Sequence, residues 1–174
     1  HNAPWIDGRT IDDIVDFLTF TFIPLLLVVK MGWVPEPGIW YVAPALVASV
    51  LGFANVGAKD EGGGFFLGFP SYWNIVAFYL GYSATIAGGW LNVAILWGLA
   101  ALTFAPIGFI YPTLAPPRTK GVVVAGGIMW TLLTASMLTT YPDAPSWMIG
   151  FSLTFLAIYT IISVLEYHRH KQGG

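Results

Sequence analysis

Six long apolar stretches constrain the fold of this sequence more than any other feature. They cover residues 11–33, 39–56, 72–86, 90–110, 121–138 and 147–165. An α-helix of about 20 apolar residues crosses the hydrocarbon of a bilayer. Charged residues are only 9% of the 174, too few to cover the surface of a soluble domain. The sequence therefore predicts an all-α fold, a polytopic transmembrane helical bundle of about six helices, forming one transmembrane domain over residues 1–174.

The positive charges predict the orientation of this bundle. If the chain crosses the membrane six times, six of its seven cations fall on the side where it starts, and only Lys30 falls near the other side. Cytoplasmic loops carry the excess of lysine and arginine, so both chain ends are predicted to lie inside the cell. The cations on that side are Arg9, Lys59, Arg118, Lys120, Arg169 and Lys171. A net charge of −2 gives no sign of a basic surface for nucleic acid. The absence of cysteine excludes disulfides and thiol chemistry.

Acidic residues at the start of the first apolar stretch are the main candidates for chemistry. Gly8, Asp12 and Asp16 are spaced by four, so a helix stacks them on one stripe, with Asp13 about 100° round the helix. Carboxylates at membrane depth are costly and usually face a cavity, a partner or a cation. Two of them one turn apart can hold a hard divalent cation. For Asp7 and Asp13, a solvated helix start is the simpler interpretation.

The pattern Gly8-x-x-x-Asp12-x-x-x-Asp16 resembles the second half of the signature of the CDP-alcohol phosphotransferases. Residues 64–79 and 11–19 further resemble the bacterial phosphatidylcholine synthases of that family. The first half of the signature, Asp-x-x-Asp-Gly-x-x-Ala-Arg, is not in this chain. We expect it upstream, on about two further helices that bring the full protein to eight. This chain alone should hold half an active site and be inactive.

The resemblance implies a phosphatidyltransferase of the bacterial inner membrane with its active site at the cytoplasmic side. A phosphatidyl group would pass from CDP-diacylglycerol to choline, giving phosphatidylcholine and CMP, with two Mn²⁺ or Mg²⁺ ions at the site. By the same resemblance, Asp12 and Asp16 are metal ligands, Asp16 is also the general base, and Gly8 packs near the nucleotide. Relatives form homodimers, which makes a homodimer possible here.

An aromatic segment is predicted on the same cytoplasmic side as the aspartates. It contains Phe65, Phe66, Phe69, Tyr72 and Trp73. Choline is a quaternary ammonium that donates no hydrogen bond, and aromatic faces attract such cations. Tyr72 and Trp73, then Phe69, are the preferred candidates for a choline box. An interfacial aromatic belt is the alternative for each of them.

Two other functions remain open at this stage. The same chemistry with serine, inositol or glycerol phosphate as acceptor is one, although a phosphorylated acceptor needs a cluster of basic residues. A transporter or channel with an acidic cation or proton site is the other, although such sites usually lie near the midplane. Lys59, Arg118 and Lys120 are interpreted mainly as topology determinants. His168 and His170 are interpreted as part of a solvated tail rather than a metal site.

Overall fold

The computed structural model describes residues 6–60 and 62–173, which are mostly helical. The first helical rod consists of α1 (Gly8–Asp16), a π-helical segment (Phe17–Phe22) and α2 (Ile23–Lys30). It is followed by α3 (Gly38–Ala54), α4 (Trp73–Ala87), α5 (Gly89–Leu102), α6 (Pro117–Leu138) and α7 (Ser146–Gly173). Three short strands, β1 (Lys59–Asp60), β2 (Phe65–Leu67) and β3 (Gly108–Ile110), and a 3₁₀ turn at Pro112–Leu114 lie between helices.

Contacts group the chain into two compact units. Unit 1 contains His1–Ala58 and Phe69–Ala105, and unit 2 contains Lys59–Gly68 and Pro106–Gly174. The sequence predicted one transmembrane domain, and whether the units act as one stays a prediction. Each unit is described here by itself.

Unit 1 is a helical bundle of the first rod with α3, α4 and α5. Its core contains apolar side chains from all four, including Leu25, Val42, Trp73 and Leu96. Two buried polar residues tie the bundle together. The Trp73 indole Nε1 donates to Ser49 Oγ at 2.6 Å, and Asn92 Nδ2 donates to the carbonyls of Trp33 and Leu80.

Unit 2 combines the small sheet with the two longest helices. The strands pair antiparallel in the order β1-β2-β3, with Phe65 opposite Ile110. Helix α7 holds β3 at two points, since Ser163 Oγ accepts from the Ile110 amide and the Tyr159 hydroxyl donates to the Ile110 carbonyl. The core beneath the sheet contains Phe65, Ile110, Val123 and Tyr167.

Large apolar side chains cover the outside of both units. Helices Pro117–Leu138 and Ser146–Gln172 are long and apolar enough to cross a membrane, and the shorter apolar helices are Gly38–Ala54 and Gly89–Leu102. The outward side chains of the two long helices include Val122, Ile128, Leu132, Phe151, Ile158 and Ile161, all exposed. Apolar surface of this extent is typical of a membrane or protein interaction surface. The predicted all-α, membrane-type fold is confirmed.

The predicted helical stretches match the observed helices with two exceptions. The last stretch was predicted to end at residue 165, but α7 continues to Gly173, so the polar tail with His168 and His170 is helical. The break at Gly88-Gly89 is present, because Gly88 adopts a φ of 79° that favours glycine. The fourth stretch was predicted to continue to residue 110, which is wrong. The helix ends at Leu102, since Pro106 disfavours the helical conformation of the residue before it, and Gly108–Ile110 pairs as a strand.

The sheet agrees with the predicted orientation. Strands β2 and β3 belong to the two long loops that the charge pattern places on the cytoplasmic side, and they pair with each other. Helices α6 and α7 run antiparallel, so the start of α6 lies beside the end of α7. Arg118 of α6 contacts Glu166 of α7 there. The side itself stays a prediction.

Candidate active site on the first helix

Asp7 begins the first helix and has the capping role that its sequence position indicates. Its Oδ1 accepts from the Arg9 amide at 3.1 Å and its Oδ2 accepts from the Thr10 hydroxyl at 2.6 Å. The Thr10 hydrogen bond and then the Arg9 amide lower the pKa of Asp7. The cap therefore stabilises the helix above the ordinary aspartate pKa and is lost as the pH falls through the lowered value. The interpretation of Asp7 as a helix start is confirmed.

Gly8, Asp12 and Asp16 lie on one stripe of α1, as predicted from their spacing. Asp12 is exposed, and Asp13 and Asp16 are half-buried. A Cβ added at Gly8 would meet no atom within 4 Å, so the space in front of this end of the stripe is open. The stripe is therefore accessible to a bulky ligand.

A π-helical segment begins immediately after Asp16, which the sequence analysis did not predict. Pro24 gives the reason, because it has no amide hydrogen and its ring disfavours an α-helical turn before it. The segment before Pro24 adopts the wider i→i+5 hydrogen-bonding pattern, in which the Ile23 amide donates to the Leu18 carbonyl. The distortion of the rod therefore lies immediately before Pro24. Single π turns are rare and occur frequently at functional sites.

Thr21 lies within the π segment and is fully buried. Its hydroxyl has no hydrogen-bond partner among the residues that the structure describes. A buried hydroxyl without a partner is costly, so it is usually explained by a water, an ion or a ligand. Sequence reasoning missed Thr21, and the only available signal was its position three residues before Pro24.

The predicted aromatic segment divides between the two units. In unit 1 the Tyr72 ring lies edge-on to Phe20, 6.5 Å between centroids, which places it against the same rod as the aspartates. Ser71, just before it, is buried with a φ of 57°, an unusual conformation for a non-glycine residue. Phe69 is half-buried and contacts the Trp73 ring edge-on. Tyr72 and Phe69 thus remain geometrically plausible members of a choline box.

Trp73 does not fit the role that the sequence suggested. Its ring has 0% exposure, packs in the core of unit 1, and donates its only N–H to Ser49. A ring enclosed in this way has no face to offer a cation. Phe65 and Phe66 lie on β2 in unit 2, where Phe65 contacts Tyr167 and Phe66 stacks on Tyr111 at 4.5 Å.

The aspartate pair fits a divalent cation only as part of a ligand set. Its four carboxylate oxygens are the ligand type that Mg²⁺ and Mn²⁺ prefer. Across residues 6–60 and 62–173, no group of three or more histidine, cysteine or acidic side chains lies close enough to hold a metal ion. Further ligands would have to come from outside these residues, as expected for half of a signature.

Comparison with known proteins now adds the family. The chain is 30% identical over 167 residues to a phosphatidylcholine synthase of Legionella bozemanae, covering 92% of this chain and 76% of the relative. The chain belongs to the phosphatidylcholine synthase family. It is also 31% identical to the phosphatidylcholine synthase of Rhizobium johnstonii, covering 92% of this chain and 65% of that protein. The Pseudomonas aeruginosa phosphatidylcholine synthase is 36% identical over 82% of this chain and 59% of its own length.

These matches confirm the resemblance that the sequence motifs indicated. The chain spans about two thirds of the length of most of these phosphatidylcholine synthases. No family model matches the chain, and no solved structure matches it significantly. The roles of Gly8, Asp12 and Asp16 therefore stay predictions from their motif, supported by the open stripe on which they lie.

Proposed function

We propose that the complete protein transfers a phosphatidyl group from CDP-diacylglycerol to choline, with this chain supplying half of the catalytic site. The family supports synthesis of phosphatidylcholine, since its members carry that activity in their names. The observation that carries the assignment of residues is the stripe of Gly8, Asp12 and Asp16 at the open end of an apolar helix.

In the proposed reaction the choline hydroxyl oxygen attacks the phosphorus of the phosphatidyl group. A new P–O bond forms, the P–O bond to CMP breaks, and CMP leaves with the electron pair of that bond. The Asp16 carboxylate accepts the proton of the hydroxyl, because a neutral alcohol is a weak nucleophile.

Asp12 and Asp16 would hold Mn²⁺ or Mg²⁺ together with ligands from outside this chain. When bound, the ions would neutralise charge that develops on the donor's pyrophosphate. Gly8 leaves space beside the stripe, where a nucleotide can approach the backbone. The proposed protein forms a homodimer. It lies in the bacterial inner membrane, with the site facing the cytoplasm.

Choline recognition is proposed at Tyr72, with Phe69 beside it. The Tyr72 ring contacts Phe20, which follows Asp16 by four residues on the same rod. A desolvated cation–π contact contributes about 0.5–2 kcal/mol, roughly 2- to 30-fold in affinity. Replacing Tyr72 by Leu should raise the Michaelis constant for choline by that factor, while Tyr72→Phe keeps the ring and should change it little.

The test of the function uses the full-length protein, CDP-diacylglycerol, labelled choline and Mn²⁺. Asp12→Asn and Asp16→Asn should each lower choline-dependent CMP release by at least about 100-fold, because a ligand or base is lost. Asp7→Asn is the matched control, since asparagine also caps a helix and the site is untouched. Normal activity in Asp12→Asn and Asp16→Asn would contradict the proposal.

The same assay separates the alternatives. Serine, inositol or glycerol phosphate supporting CMP release better than choline would change the acceptor and keep the chemistry. Cation or proton flux across vesicles without CMP release would favour a transporter.

A further inference from the structure

A buried glutamate in unit 2 holds two arginines in fixed positions at one end of the long helices. The Glu166 side chain is only 3% exposed. Arg118 donates to both of its oxygens through Nε and also through Nη2, and Arg169 donates from Nη1 at 3.1 Å. Burial of a carboxylate is costly unless it is paired and hydrogen-bonded, and these contacts satisfy that condition.

The cluster keeps an excess of positive charge and of hydrogen-bond donors. Two guanidinium groups face one carboxylate, and both arginine side chains are 58% exposed. Each guanidinium has five N–H donors, so most remain available after the contacts with Glu166. Such an arrangement suits a phosphate group. Lys171 does not belong to the cluster, because it lies about 200° round α7 from Arg169 and its Nζ is 5.0 Å from the centre of the Tyr167 ring.

The frame around the cluster is rigid. Tyr167, next to Glu166, is buried and packs on Phe65 of β2. One turn earlier on α7, Ser163 holds the amide of Ile110 in β3. The arginines are therefore oriented before any ligand arrives, which lowers the entropic cost of binding.

A role in orientation alone does not explain this construction. The positive-inside bias depends on exposed lysines and arginines and requires no buried acid between them. Glu166 instead lowers the net charge while fixing the geometry of Arg118 and Arg169. A pair of arginines with fixed geometry suits the recognition of a particular group, whereas attraction by charge alone requires no fixed geometry.

The position of the cluster identifies the source of the phosphate. Arg118 is in the first turn of α6 and Arg169 is near the end of α7, the two helices long and apolar enough to cross a membrane. The cluster thus lies at the level of the lipid headgroups. We propose that Arg118 and Arg169 bind the headgroup phosphate of an anionic phospholipid. This site is additional to the proposed function and does not depend on it.

The experiment measures lipid retention by the purified full-length protein in detergent, using native mass spectrometry after incubation with phosphatidylglycerol. Arg169→Gln removes one guanidinium and leaves the Arg118–Glu166 pair intact, so retention should fall roughly tenfold, as for loss of a charged hydrogen bond. Lys171→Gln removes a charge from another face of α7 and should leave retention nearly unchanged. Lys30→Gln removes the same charge from α2 and should leave retention unchanged.

Several results would overturn the lipid site. The first is equal retention in wild type and Arg169→Gln. The second is an equal loss in Lys30→Gln or Lys171→Gln. The third is displacement of the lipid by millimolar inorganic phosphate, which would indicate a site for a soluble anion. Loss of CDP-diacylglycerol binding with phosphatidylglycerol unaffected would make the cluster a substrate site. Arg169→Lys keeps the ion pair and serves as the folded reference if Arg169→Gln is unstable.

Discussion

Thr21 differs from the other threonines of the apolar helices. Hydroxyl groups in these helices usually donate to the carbonyl four residues earlier, as seen at Thr19, Thr103, Thr131, Thr134, Thr154 and Thr160. The π segment widens the turn around Thr21, and its buried hydroxyl has no partner within the described part of the chain. Such a group reduces stability unless a ligand or a water satisfies it.

Replacing Thr21 by valine shows whether its hydroxyl is unsatisfied or has a ligand or a water as its partner. Removing an unsatisfied buried hydroxyl should raise the free energy of unfolding by about 1 kcal/mol, measured as resistance to denaturation in detergent. If the hydroxyl serves the substrate, CMP release should fall in the same variant. Thr19→Val is the control, because its hydroxyl already donates to the Val15 carbonyl at 2.8 Å. A less stable Thr21→Val would show that the hydroxyl has a partner in the folded protein.

Trp73 shows which part of a site the sequence can predict. The spacing of Gly8, Asp12 and Asp16 fixed their common stripe, because helix geometry depends only on local sequence. The burial of Trp73 depends on Ser49, which is 24 residues away and on another helix. A run of aromatic residues gives no sign of such a partner. Sequence reasoning therefore found the aspartates and could not separate the half-buried Tyr72 ring from the fully buried Trp73 ring.

The π segment links the geometry of the aspartates to Pro24. Each π turn adds about one residue relative to an α-turn, which rotates everything before it by about 100° around the axis. Leu25 and Val28 anchor α2 in the core of unit 1. The π turn thus decides which way Asp12 and Asp16 face relative to that anchored segment.

The variant Pro24→Ala should restore an amide donor and allow a continuous α-helix. We expect CMP release to fall by at least about tenfold with both carboxylates present, because the stripe is rotated away from its partners. Stability should be equal or higher, since alanine favours the helix. Pro44→Ala is the control, because Pro44 lies inside α3 where the helix stays α-helical. Full activity in Pro24→Ala would mean that the π turn has no part in the site.

At the level of elements, helices were more predictable than strands. Apolar length is a local property, so four of the six predicted stretches match observed helices closely, and the other two differ at their C-terminal ends. Strands β2 and β3 are three residues each and depend on pairing across more than 40 residues, as between Phe65 and Ile110. Gly108–Ile110 is as apolar as a helix, so hydropathy alone assigned it to the wrong element.

At the level of the whole molecule, the alternation of loops across the membrane stays a prediction, and α6 has the length that it requires. Helix α6 has 22 residues and is therefore about 33 Å long, sufficient for the hydrocarbon of a bilayer. Its first end carries Arg118, paired with Glu166 of α7, and its other end leads to a loop with Asp143. The two ends should face opposite compartments.

Labelling of introduced cysteines tests this orientation directly, because the native chain contains no cysteine. Asp143→Cys and Thr113→Cys place one thiol in an exposed loop at each end of α6. In intact cells expressing the full-length protein, an impermeant maleimide should label Asp143→Cys and should reach Thr113→Cys only after permeabilisation. The excess of lysine and arginine near Arg118 predicts this result, since loops rich in these residues stay on the cytoplasmic side. Labelling of Thr113→Cys alone in intact cells would invert the topology and move the aspartate stripe away from the cytoplasmic pool of nucleotide.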